Sequence, residues 1–254
     1  MILAIDIGNT SITFGLMENQ KVFEKLSIRS GLSKKILNEE LKNILQSIQR
    51  KKLIIEKAFI CSVVPSLNDV LKRKIKTILR LDTFVIGEDI KIPVKNKYDN
   101  PSQVGMDRLV GAFAAKTFFG HPVIIIDFGT AITIDVVNQR GEYEGGIIIP
   151  GIRLSVESLF LKTAMLPHIE SIRPPKNMVG KNTEESILSG IFFGYGLMCS
   201  GLINSLKGKK YLKDAKVVLT GGYTGIMKDY IITKIDRIEP SLVLIGISLL
   251  NRLN

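Results

Sequence analysis

The chain opens with an apolar run, Ile2-Leu3-Ala4-Ile5, that ends at Asp6 and passes a glycine-bearing turn. It leaves through Ser11-Ile12-Thr13-Phe14-Gly15-Leu16, where apolar and polar positions alternate. Alternation on both sides of a polar turn predicts a β-hairpin with a polar tip. Lys21 to Ile28 extends it as a third strand across the Glu18-Asn19 turn. The period then lengthens: Ile36, Leu37, Leu41, Ile44, Leu45 and Ile48 share one helical face, with Ser33 placed to cap it. A buried strand over 58–64 stops at Pro65, a basic amphipathic helix covers 67–79, and Thr83 to Ile86 forms another strand. A loop rich in Pro, Asn and Lys runs from 92 to 106 and carries Tyr98; loops of that length in a compact domain tend to be functional. A helix over 107–119 closes this half at Gly120-His121-Pro122.

The pattern then starts again. Val123-Ile124-Ile125-Ile126-Asp127-Phe128-Gly129-Thr130-Ala131-Ile132-Thr133-Ile134 repeats the opening with one residue dropped from the turn. Asp127 falls under Asp6, Gly129 under Gly8, Thr130 under Thr10 and Thr133 under Thr13. A period of half the chain means two copies of one supersecondary unit. Strands over 123–127, 130–137 and 142–149 are followed by a helix over 153–161. Asn182 caps a long helix from Thr183 to about Leu206, with Glu185 placed to complete a capping box. A buried strand, Val217 to Thr220, meets Gly221-Gly222, and Ser241 starts a terminal helix. The expected boundary gives one half over 1–117 and a second over 118–254. With no flexible linker, the halves should pack as one body with a cleft.

At 254 residues the chain is long enough for a substantial core, and 45% hydrophobic with 23% charged content is ordinary for a folded protein. No apolar run reaches the roughly eighteen residues a membrane helix needs, Leu242 to Leu250 being the longest candidate. The amino terminus lacks a basic region and Asp6 interrupts its apolar stretch, which argues against a signal peptide. The two cysteines, Cys61 and Cys199, sit in apolar stretches and read as buried free thiols of a cytoplasmic protein. The two histidines, His121 and His168, each touch a proline and carry no metal or triad spacing. A net charge of +11 permits attraction to phosphates. The lysines are scattered, however, without aromatic interleaving or a nucleic-acid motif, which argues against nucleic-acid binding.

Each hairpin tip offers backbone N–H groups and hydroxyls beside a carboxylate. Such a set suits a triphosphate with its metal. One hairpin alone could simply use its Asp and Gly to turn; two matched tips facing each other would hold a nucleotide between them. Gly105-Met106-Asp107-Arg108 is a second constellation. Adjacent residues diverge on a helix, so Asp107 and Arg108 are not a simple intrahelical pair. At a helix start Asp107 is kept ionised, as a proton acceptor or as a capping acid. Glu144-Gly145-Gly146 reads as strand-end chemistry, and Thr183 as a cap unless its helix end points into the cleft.

Taken in order, Asp6-Ile7-Gly8-Asn9-Thr10, Gly105-Met106-Asp107-Arg108, Ile126-Asp127-Phe128-Gly129-Thr130-Ala131, Tyr143-Glu144-Gly145-Gly146 and Leu219-Thr220-Gly221-Gly222 resemble type III pantothenate kinases. That family lies within the actin, hexokinase and sugar-kinase superfamily. The resemblance implies an α/β fold of duplicated ribonuclease H-like (actin-like ATPase) halves, each βββαβαβα, with an interdomain cleft. It implies ATP-dependent phosphorylation of pantothenate to 4'-phosphopantothenate, the first step of coenzyme A synthesis. Asp6, Ile7, Gly8, Asn9, Thr10, Ser11, Ile12 and Thr13 would then bind ATP and Mg2+, with Thr130 adding a contact. Asp107 would be the general base, and Tyr98, Gly105, Met106, Asp107, Arg108 and Thr183 would contact pantothenate. Asp127 would hold a monovalent cation, K+ or NH4+. The resemblance also implies a homodimer. Met106 stands where the family usually has Ala, and the terminal helix is more apolar than expected. A non-catalytic regulatory relative and another small-molecule kinase, such as a sugar kinase, are the alternative readings.

Overall fold

In the computed structural model, which describes residues 1–253, the opening hairpin forms as the alternation requires. β1 (Ile2–Ile7) pairs antiparallel with β2 (Ser11–Glu18), and β2 with β3 (Lys21–Arg29). After α1 (Lys34–Arg50), β4 (Lys57–Ser62) adds parallel to β1; after α2 (Asn68–Leu79), β5 (Thr83–Val85) adds parallel to β4. The resulting sheet has the order β3-β2-β1-β4-β5. Ser33 stands at the N-cap of α1, but its hydroxyl makes no cap bond. The cap is its carbonyl, which accepts from Leu37 N at 2.9 Å.

Successive strand residues face opposite ways, and this sorts the core of the first unit into two layers. Leu3, Ile5 and Ile7 pack with Leu41 and Leu45 of α1 and Leu71 and Ile75 of α2. Ile2 and Ala4 face the other way, into a cluster with Phe59, Cys61, Val110, Phe113, Leu244 and Ile247. That second layer is built by α3 (Met106–Phe119) and α7 (Leu242–Asn251). Asp6, the next residue on the same face, comes at the end of the strand.

The division of the chain differs from a cut at 117/118. One unit comprises Met1–Ala114 together with the segment from Ser241 on, and the other Ala115–Pro240. The terminal helix belongs to the first unit because its apolar face matches that sheet. Gly246 lets α7 approach α3 so closely that a Cβ would stand 2.6 Å from the carbonyl oxygen of Val110.

The second unit reproduces the plan. Its sheet joins β6 (Val123–Phe128), β7 (Ala131–Val137), β8 (Tyr143–Pro150), β9 (Lys216–Thr220) and β10 (Arg237–Ile238) in the order β10-β9-β6-β7-β8. Read from β8, this is the connectivity of the first sheet. β10 is too short to leave a periodic trace in the sequence. Ile124, Ile126 and Phe128 pack against Ile152 and Val156 of α4 (Ile152–Lys162) and Leu188, Phe192 and Ile203 of α5 (Thr183–Lys207). α6 (Thr224–Met227) follows the β9 turn.

α5 corrects one expectation. Among the described residues it is the one helix long and apolar enough to cross a membrane, and it is 25 residues long. Its apolar character was masked by interspersed Gly and Ser. One side of it is the core of its own unit, as Leu188, Phe192, Cys199 and Ile203 show. Both cysteines are buried and free.

Candidate active site

The two hairpin tips are built alike. In the first, Asp6 pairs with Thr13 and Ile7 with Ile12, and Gly8 N donates to Ser11 O at 2.9 Å. In the second, Asp127 pairs with Thr133 and Phe128 with Ile132, and Gly129 N donates to Ala131 O at 3.2 Å. The missing residue is thus taken out of the turn itself, and the strand registers on either side are the same. Within the first tip Asn9 and Thr10 are exposed, and Asp6, Gly8, Ser11 and Thr13 are half-buried. Ile7 and Ile12 are fully buried in the core. Those two can offer a ligand only backbone groups.

Asp107 lies in the same unit, and a short chain of contacts links it to this tip. Ile7 O accepts from Val63 N at 3.0 Å. A Cβ on Gly105 would stand 3.3 Å from Val63 Cγ1 and 2.5 Å from Asp107 Oδ1. Gly105 is therefore needed for close approach: α3 begins hard against the end of β4, with its first acid folded back over its own start. α3 begins at Met106, one residue earlier than the pattern implied, and Gly105 O receives Arg108 N at 3.2 Å. Asp107 Oδ1 accepts from Arg108 N at 2.8 Å. Half-buried at the positive end of a helix, this carboxylate is favoured in its ionised form.

Cys61 connects the two acids. It is the register partner of Asp6 on β4 and is wholly buried. Burial first, and then the charges of Asp6 and Asp107, push its thiol well above the ordinary value. The thiol is thus a neutral neighbour to both carboxylates. Among the described residues no three His, Cys, Asp or Glu side chains cluster to hold a metal. The donor set fits a hard divalent ion bound through one or two carboxylates, with phosphate oxygens and water completing its shell.

The loop leading into α3 is more ordered than its composition suggests. Asn96 Oδ1 accepts from Tyr98 N at 3.0 Å, and Asn100 Oδ1 accepts from Ser102 N at 3.2 Å and Ser102 Oγ at 2.7 Å. Tyr98 is half-buried on this loop. Met106 fills space left by Gly87, where a Cβ would stand 2.7 Å from its sulfur.

In the second unit Asp127 and Thr130 share a tip, the former half-buried and the latter exposed. Gly221, at φ +94°, curls the end of β9 over that tip, and a Cβ there would overlap Asp127 Oδ1 and stand 2.7 Å from Phe128 N. A left-handed residue without a side chain is what this turn requires. Thr183 is exposed at the first position of α5, which packs against the Ile124, Ile126 and Phe128 face. Asp127 points from the opposite face of the sheet, so Thr183 and Asp127 do not share a face within their unit. Glu144 is engaged by Asn138 Nδ2 in the β7–β8 turn.

The family model described as type III pantothenate kinase matches residues 2–205. The chain belongs to the type III pantothenate kinase family. A type III pantothenate kinase of Persephonella marina is 46% identical over 224 residues, 87% of each chain. One of Geobacter sp. (strain M21) is 35% identical over the full length of both. Among solved structures, a ROK family glucokinase from Streptomyces griseus, in complex with glucose and AMPPNP, superposes with a TM-score of 0.56 at 12% identity, covering 100% of this chain and 99% of that one. The activator of the 2-hydroxyisocaproyl-CoA dehydratase from Clostridium difficile, with bound ADPNP, gives 0.55 at 14% identity, covering 99% and 94%. These two establish the fold alone: a duplicated actin-like α/β architecture.

Three features of the structure left no reading in the sequence pattern. Cys61 looked like any core residue, and only strand register reveals its place beside Asp6. Asp135 is buried and accepts from Tyr143 Oη at 2.6 Å and Thr133 Oγ1 at 3.1 Å. Its signal was available, because alternation along β7 sets Thr133 and Asp135 on one face. The third is the use made of Glu185. Asn182 does cap α5 by accepting from Glu185 N at 2.9 Å, but the Glu185 carboxylate turns away to accept from Lys176 N and Arg173. The capping box is half formed.

Proposed function

We propose that this chain is an ATP-dependent pantothenate kinase that transfers the γ-phosphate to the primary hydroxyl of pantothenate, opening coenzyme A synthesis. Membership of the family over nearly the whole chain carries this reading. Asp107 is the general base. Its support is its position: half-buried at a helix start and linked to the first tip through Gly105 and Val63. Phosphoryl transfer asks the protein mainly for positioning and charge neutralisation. Asp107 takes the proton of the attacking hydroxyl, and Arg108 with Tyr98 orients the acceptor beside the Gly105–Arg108 turn. Backbone N–H groups of the first tip, with Asn9, Thr10, Ser11 and Thr13, cradle the ATP phosphates, and Thr130 contributes from the second. Thr183 contacts pantothenate. Asp6 holds Mg2+, which when bound neutralises the phosphate charge. Asp127, in the space that Gly129 and Gly221 leave clear, holds K+ or NH4+.

The working form is a cytoplasmic homodimer. Gly190, Gly194, Leu197 and Gly201 recur at helical spacing on exposed positions of α5, and nothing stands within 4 Å of a Cβ on any of the three glycines. Such a face lets a second copy's helix come close.

An ADP-release assay with pantothenate, beside a panel of small sugars and with Na+ exchanged for K+ or NH4+, tests the reading. Turnover with pantothenate, raised by K+ or NH4+, is expected. Turnover only with a sugar would make the chain another kinase on this scaffold, and silence with every acceptor would make it an accessory protein. Turnover indifferent to the monovalent ion would remove that role from Asp127.

A further inference from the structure

The segment from Thr163 to Asn182 between α4 and α5 has no regular structure, yet it is tied to the first two turns of α5 at successive points. Arg173 Nη1 donates to Glu185 Oε1 at 2.7 Å, and Nη2 to Glu184 Oε1 at 2.9 Å. Lys176 N donates to Glu185 Oε2 at 3.0 Å. Ser189 Oγ donates to Met178 O. A Cβ on Gly180 would overlap the α5 backbone at Ser186. These ties bracket Thr183 on both sides of the helix start.

The two acids are not equivalent. Glu184 is an exposed partner of Arg173, with 45% of its side-chain surface accessible, and such pairs contribute little. Glu185 keeps only 10% and accepts with both oxygens. A carboxylate at this position normally closes a capping box on its own helix. Here it is spent on the loop instead.

We propose that Arg173 and Glu185 are positioning residues for the acceptor side of the reaction, locking the first turn of α5 so that Thr183 presents its hydroxyl to pantothenate in one orientation. The inference rests on Thr183 contacting the acceptor. Glu185→Gln would place an amide N–H where Arg173 or Lys176 already donates, so one of the two bonds that Glu185 makes to the loop would be lost without any change in size. Orientation lost at one contact weakens acceptor binding and leaves the nucleotide untouched.

The test is a double-mutant cycle on the full chain at a temperature where circular dichroism shows every variant folded. Glu185→Gln and Thr183→Val should each raise KM for pantothenate roughly tenfold, with kcat and KM for ATP within about twofold of the parent. Their combination should be no worse than Thr183→Val alone, because both remove the same contact. Glu184→Gln should leave KM for pantothenate unchanged. Arg173→Gln, at a half-buried loop position, gives the same reading if Glu185→Gln does not fold. An unchanged KM in Glu185→Gln or Arg173→Gln, or an effect that multiplies with that of Thr183→Val, overturns the positioning role while leaving Thr183 in place. A Thr183→Val enzyme with unchanged KM removes the acceptor contact itself, and the positioning role with it.

Discussion

Gly105→Ala is the most exacting single change the first unit offers. The new Cβ would stand 2.5 Å from Asp107 Oδ1, about 0.9 Å inside the 3.4 Å of ordinary contact (3.4 − 2.5). It cannot retreat the other way, because Val63 Cγ1 is 3.3 Å from it and Val63 is fixed by its N–H to Ile7 O at 3.0 Å. The carboxylate must move instead. A misplacement of about 1 Å can cost up to about a hundredfold in rate, or roughly 2.7 kcal/mol of barrier. Stability suffers less: alanine for glycine at a helix start costs about 1 kcal/mol, a shift of about 2–4 °C in Tm for a chain of this size. Parallel ADP-release kinetics and thermal melts separate the two. The expected result is kcat lowered between about tenfold and a hundredfold, KM for ATP unchanged, and a melt only a few degrees lower. A melt lowered as expected with kcat at the parent value would mean that the carboxylate of Asp107 is not part of the chemistry.

Other expectations test different parts of the account. Gly246→Ala should overpack the α3–α7 contact and cost about 1–3 kcal/mol in denaturant unfolding, with activity per folded molecule kept. Cys199 is pushed up to about 11 by burial. A raised thiol favours the folded state below its ordinary value near 9.0 and surrenders that advantage as pH climbs toward 11. Cys199→Ala should therefore show a flatter loss of Tm than the parent across that alkaline window. The Glu185 carboxyl is held below its ordinary value by Lys176 N–H and then by Arg173. The stability it contributes is present above pH 4.5 and lost as pH falls through the folded value, so Glu185→Gln should blunt the acid limb of the melt profile. Gly194→Leu should split the dimer in light scattering; on a helix face left to solvent the same change would gain up to about 1 kcal/mol of helix stability and alter no mass.

The duplication was legible because its signals are local. Asp6 and Asp127, Thr13 and Thr133, and the glycines between them are set by strand alternation within each hairpin, and the observed registers repeat them. The start of the long helix after Asn182 was legible for the same reason, from its cap. What escaped depended on partners distant in sequence. α7 joins the first unit because Leu244 meets Gly15 and Gly246 meets Val110, contacts no window of neighbouring residues contains. Cys61 lies beside Asp6 only through the parallel β1–β4 pairing. Glu185 carried a capping-box spacing that was true of its position and wrong about its carboxylate, since the preceding loop offered it the Arg173 guanidinium and the Lys176 backbone N–H together.

The central claim is that Asp107 deprotonates the acceptor hydroxyl. Asp107→Asn keeps the size and the helix start and removes only the basic oxygen. Measured by steady-state ADP release beside calorimetric titration with a non-hydrolysable ATP analogue, it should bind the analogue as the parent does and turn over at least about a hundredfold more slowly. An Asp107→Asn enzyme that binds the analogue and turns over pantothenate near the parent rate would contradict it.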